Sequence, residues 1–63
     1  MKLTQKAKER MKTLSTKHPW ALVDTTTMQV VDFFNYEAEA KQAKKEGGKT
    51  LAVFYANSIV FTD

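Results

Sequence analysis

The chain has no cysteine, one proline, two glycines and one histidine. Without cysteine it has neither a disulfide framework nor a thiolate metal site. The single imidazole, His18, sits beside Pro19 with no carboxylate cluster around it, so no metal and no cofactor are expected. No apolar run approaches the ~20 residues that a membrane span needs. The lysine-rich start is not followed by an apolar stretch, so it does not read as a secretory signal, and a cytoplasmic protein without a membrane partner is expected. Catalytic signatures are also scarce. A lone histidine in a loop reads as structural, and no nucleophile elbow is present. Gly47-Gly48-Lys49-Thr50 lacks the earlier glycine of a phosphate-binding loop and runs from helix to strand, the reverse of that motif, so it reads as a turn. Asp24 and Asp32 flank a hairpin and are able to face each other, but a sheet this small offers little cleft to perturb them. The chain is therefore read as non-catalytic.

What is present is a globular composition. The 63 residues are 43% hydrophobic and 27% charged, with a net charge of +3. One α+β domain spanning residues 1–63 is expected, because the length leaves no room for a second core. A domain near this size buries only about 60% of the surface of its unfolded chain. Packing or self-association must supply what disulfides and metals do not. The seven aromatics, Trp20, Phe33, Phe34, Tyr36, Phe54, Tyr55 and Phe61, are a large apolar payload for so short a chain. They either fill one core or lie at a subunit contact, and a homodimer is expected.

The order of elements reads α-β-β-α-β-β. Leu3, Ala7, Met11 and Leu14 form a helical stripe over residues 2–16, with Arg10 oddly placed within it and expected to snorkel. Ser15, Thr16 and the His18-Pro19 step end that helix. Trp20–Asp24 and Met28–Phe34 read as an antiparallel hairpin, with Asp24 holding a turn that lacks glycine. Asn35 reads as the N-cap of a helix over residues 36–46, with Tyr36, Ala40 and Ala43 on one face and Gly47 as the left-handed stop. Thr50–Ala56 and Ile59–Thr62 read as a second hairpin about Asn57-Ser58, which would set Phe54 opposite Phe61. A four-stranded, mainly antiparallel sheet packed with two helices closes this order. The first helix docks either in its own subunit or across a dimer.

Charge is unevenly placed. Residues 1–18 hold Lys2, Lys6, Lys8, Arg10, Lys12 and Lys17 against Glu9 alone. Residues 19–63 hold Lys41, Lys44, Lys45 and Lys49 against Asp24, Asp32, Glu37, Glu39, Glu46 and Asp63. The basicity therefore belongs to the first helix. One reading is a small nucleic-acid-binding module whose first helix meets RNA or DNA phosphates. Lys2, Lys6, Lys8, Arg10 and Lys12 would carry it, with Lys41, Lys44, Lys45 and Lys49 as accessory contacts. Lysine is a point charge, so such binding follows backbone and shape rather than base identity. The bland reading is the solvated side of an amphipathic helix. Phe33, Phe54 and Phe61 would be stacking platforms if they faced solvent, but aromatics at strand spacing are usually core. The alternative function is a protein-binding regulator or inhibitor of a larger enzyme or ribonucleoprotein, of the host-directed viral or antitoxin-like kind. Trp20, Phe54 and Phe61 are its contact candidates.

Overall fold

The computed structural model describes residues 1–15 and 19–61. His18, and Thr16, Lys17, Thr62 and Asp63 with the helix-end, charge and strand readings that involve them, lie outside the described residues. The elements are β1 (Lys2–Leu3), α1 (Gln5–Thr13), β2 (Trp20–Asp24), β3 (Gln29–Phe34), α2 (Glu37–Gly47), β4 (Leu51–Tyr55) and a 3-10 turn over Ala56–Ser58. The class is α+β, with two helices and a four-stranded sheet in the order β1-β3-β2-β4. β2 pairs antiparallel with β3 and β4, and β1 pairs parallel with β3. The sheet is thus mixed rather than mainly antiparallel, because its fourth strand comes from residues 2–3 and not from the second hairpin.

Two local causes produce that difference. The first helix does not begin at residue 2. The Thr4 side chain accepts the Ala7 N–H at 3.2 Å, which caps α1, while the Thr4 N–H donates to the Val30 carbonyl at 3.0 Å. Residues before the cap are left extended and join the edge of β3. At the other end, the backbone at Asn57 does not take the positive φ that a two-residue hairpin favours; among described non-glycine residues only Met28 does, at φ 56°. Ser58 Oγ donates instead to the Tyr55 carbonyl at 2.7 Å, and the Ile59 N–H to the Ala56 carbonyl at 3.1 Å. The chain turns over the sheet face rather than back alongside β4. Phe61 therefore does not oppose Phe54 but meets Phe33 edge-on, with ring centroids 5.7 Å apart. The N-terminal ammonium donates to the Val60 carbonyl at 2.8 Å, so the two ends of the described chain meet.

The first hairpin forms where β-branched and aromatic residues predict it. Asp24 Oδ1 accepts the Thr26 N–H at 2.8 Å, and Met28 supplies the left-handed residue that a turn without glycine requires. Met28 therefore lies in the turn, not in the strand. Between β2 and β3 the register slips: Val23 opposes Val30 while Leu22 opposes Asp32, leaving Val31 as a bulge. Residues 30 and 33 would otherwise point to opposite faces. The bulge sets Val30 and Phe33 on one face, where both are fully buried with Ala7, Ala21, Val23 and Ala56. Met1, Leu3, Leu14, Ile59 and Phe61 pack around that cluster.

α2 covers the opposite face. Leu22 and Ala40 are buried there, and the small side chain at 40 lets the helix approach the sheet closely. Asn35 is not its cap. Asn35 Oδ1 accepts the Ser15 N–H at 3.1 Å, tying the exit of α1 to the end of β3, and Tyr36 takes the N-cap position with no side-chain bond. Tyr36 is 70% exposed and so leaves the face it was expected to share with Ala40 and Ala43. The stop is Gly48 rather than Gly47: Gly48 has φ 107° and its N–H donates to the Lys44 carbonyl at 3.2 Å.

Candidate functional site

The bulge also decides what becomes of the basic helix. By setting Val30 and Phe33 on the core face, it places Asp32 on the other, beneath one flank of α1. Asp32 is 4% exposed. Its Oδ1 accepts the Phe33 N–H at 2.8 Å and lies 3.2 Å from Arg10 Nε, while its Oδ2 lies 3.4 Å from Lys6 Nζ. The Arg10 guanidinium also sits 6.0 Å from the centroid of the Phe34 ring. Arg10 keeps nearly half of its side chain in water, at 45% exposure, while its Nε turns to Asp32. It satisfies a buried carboxylate at the sheet margin, and its place one helical turn from Ala7 is explained by that partner. Asp24 lies opposite Gln29 and Asp32 opposite Leu22, so the two carboxylates do not face each other.

The predicted cationic surface is consequently divided. Lys6 and Arg10 turn to Asp32 on one flank of α1. Lys8 and Lys12 line a shallow groove with Leu3 and Met11 on the other, and Lys2 is exposed on β1. Lys41 pairs with Glu37 one turn away at 3.7 Å, and Lys44, Lys45 and Lys49 are exposed on and just after α2. The nine cations named from the sequence are not brought to one face. Among the described residues no three histidine or carboxylate side chains come together as a metal-ligand set, and no helix is long and apolar enough to cross a membrane.

The aromatic candidates separate as well. Trp20 is half-buried, its ring tilted against Tyr55 at 5.2 Å. Phe61 packs on Phe33. Phe54 alone of the three is exposed, at 43%, with Met28 at 57% and Val60 at 81% beside it. These three, with Met1, Ser58 and Ile59, line a half-open groove of about 390 Å³ on the core side of the sheet. Residue type alone does not single out Met28 and Val60. Met28 reaches the groove because its turn requires a left-handed residue, and Val60 because the 3-10 turn sends the chain across the face.

β4 adds a second exposed feature. It is the terminal strand of the sheet and pairs only with β2. The Thr25 N–H donates to the Thr50 carbonyl and the Ala56 N–H to the Pro19 carbonyl. In an antiparallel ladder, that phase turns the backbone groups of Ala52 and Phe54 toward β2 and those of Leu51, Val53 and Tyr55 outward. The chain matches no protein-family model, no curated protein and no solved structure.

Proposed function

We propose that this chain is a small non-catalytic protein-binding module whose contact surface is the apolar groove around Met28, Phe54 and Val60. The observation that carries this reading is the clustering of three large apolar side chains in solvent about one concavity, beside a core that buries Phe33, Val23 and Val30 completely. Scattered exposed apolar residues need no explanation, but a contiguous group lining a groove is the usual mark of a protein contact. Phe54 is the anchor, since aromatic side chains dominate interface energies. The partner presents an apolar segment, because the groove wall offers mostly hydrocarbon. A regulator or inhibitor of a larger protein fits a chain of this size that works by docking.

The test is capture of a stoichiometric protein partner by the full chain after nuclease treatment, repeated with Phe54→Ser and Val60→Ser. Both positions lie outside the buried cluster, so the variants keep the circular dichroism of the parent and lose the partner. Unchanged capture by both variants refutes the groove as the contact surface.

A second reading is supported by Lys2 and Lys12, which are exposed on β1 and α1. These lysines would meet nucleic-acid phosphates without base readout. A salt titration against duplex DNA and RNA decides it: affinity that is absent at low salt, or indifferent to salt, removes this reading.

A further inference from the structure

The outer edge of β4 calls for a partner of its own. Leu51 and Val53 direct their N–H and C=O groups away from β2, and among the described residues no strand pairs with them. Exposed edges are usually protected by proline, lysine or an inward-pointing charge. Leu51–Tyr55, with the sequence Leu-Ala-Val-Phe-Tyr, carries none of these. The opposite edge is treated differently: β1 is only two residues long, and α1 follows it along β3. One edge of the sheet is closed and the other is left open.

We infer that the open edge is occupied by β4 of a second copy of this chain, antiparallel about a two-fold axis, joining two four-stranded sheets into one of eight strands. Two features argue for self-pairing over a foreign strand. First, the strand has no charge, so antiparallel pairing with itself opposes no like charges within Leu51–Tyr55 in any register. Second, α2 brings matched charges to the same side. Glu39, Gln42, Ala43 and Glu46 line a groove with Phe34 toward β3, and Ala40 is buried against the sheet. Helical periodicity then puts Glu37, Lys41 and Lys44 on the flank toward the open edge. α2 runs over β4 and β2, so a second copy joined at β4 sets its α2 within ordinary helix-packing distance. A two-fold axis makes the two helices antiparallel. The acidic first turn, with Glu37, then approaches the basic last turn, with Lys44, of the other copy.

This inference goes beyond the groove proposed above: the groove uses the Phe54 side chain on the core face of β4, whereas the pairing uses the outward backbone groups of Leu51 and Val53 and has its own test. The full chain is measured by light scattering from micromolar to millimolar concentration, with amide exchange followed in parallel. A dimer is expected, with the Val53 and Leu51 amides gaining protection as concentration rises. Val53→Pro removes an outward donor and no bond to β2, and is expected to give a monomer. Lys44→Glu, on an exposed side chain, is expected to weaken the dimer about tenfold, and Glu37→Lys added to it to restore most of that loss. If Val53→Pro does not fold, Lys44→Glu and the amide protection decide alone. A chain that stays monomeric at millimolar concentration overturns the inference. So does a dimer that ignores Lys44→Glu and leaves Val53 unprotected, or protection that appears only with another protein's strand. None of these outcomes bears on loss of a partner by Phe54→Ser and Val60→Ser.

Discussion

Replacing Arg10 by methionine keeps the helix propensity and the aliphatic reach of the side chain but takes the guanidinium away from Asp32. The carboxylate is 4% exposed and keeps two contacts, the Phe33 N–H at 2.8 Å and Lys6 Nζ at 3.4 Å. A hydrogen bond to a charged group is worth about 1.5–3 kcal/mol. Stripping every partner from a buried ion costs roughly 3–5 kcal/mol, and Lys6 prevents that limit from being reached. Lost contact with the Phe34 ring adds about 0.5–1 kcal/mol. These terms sum to about 2–4 kcal/mol, and because the Arg10 side chain is 45% exposed the expected destabilisation is the lower part of that range, about 2–3 kcal/mol. Ordinary stabilities of about 0.05–0.15 kcal/mol per residue give a chain this short roughly 3–9 kcal/mol in all. The variant therefore loses about a fifth or more of its stability, and the melting temperature falls by at least about 8 °C. Urea unfolding followed by circular dichroism measures this, with Lys12→Met as the exposed control, expected within about 0.5 kcal/mol of the parent. Asp32→Asn combined with Arg10→Met completes a cycle whose coupling should exceed about 1 kcal/mol. An Arg10→Met variant as stable as the Lys12→Met control refutes the reasoning, because Arg10 is then only a surface cation.

Four further outcomes follow from local geometry. Thr4→Ala removes the oxygen that accepts the Ala7 N–H and should cost about 1 kcal/mol in urea unfolding, with loss of helical signal confined to α1. Gly48→Ala places a Cβ on a residue with φ 107° and ψ −174°, a conformation nearly restricted to glycine, and should lower stability by about 1–3 kcal/mol in thermal melts. Phe33→Ala empties the centre of the buried cluster and should cost about 3–5 kcal/mol, a third or more of the stability, read as an earlier loss of near-ultraviolet circular dichroism in urea. Phe61→Ala removes only the ring that meets Phe33 from outside, and the aromatic pair alone predicts a loss of about 0.5–1.5 kcal/mol.

Much of the fold can be read from local chemistry. Trp20–Asp24 is a strand in the structure as in the sequence, because β-branched and aromatic residues between Pro19 and an Asp-Thr-Thr turn leave little choice. α2 is legible in its alanines, its acidic first turn and its basic last turn. The candidate surfaces are less so. Phe54 can be named as a contact residue from type alone, yet Met28 and Val60 join it only through a turn and a chain crossing that no local signal announces. Asn35 shows the same limit. Its side chain suits a helix cap, but Ser15, twenty positions earlier, presents an orphan N–H to the same oxygen and takes it.

The composition and the order of residues by themselves determine that this chain excludes disulfides, carries its positive charge near its start and alternates helix with strand as an α+β protein. Tertiary structure alone decides the rest. A side-chain pattern records which residues avoid water, not which strands lie side by side or which acid meets which base. One bulged residue, Val31, changes the face of everything that follows it in β3. That single slip buries Asp32 beneath Arg10 and Lys6 and so sets two cations of an apparent polyanion-binding helix, both still partly in water, against one buried carboxylate. Burial makes the pairing persist, because a carboxylate withdrawn from water holds its cations far more firmly than solvent-exposed lysines are held by anything around them.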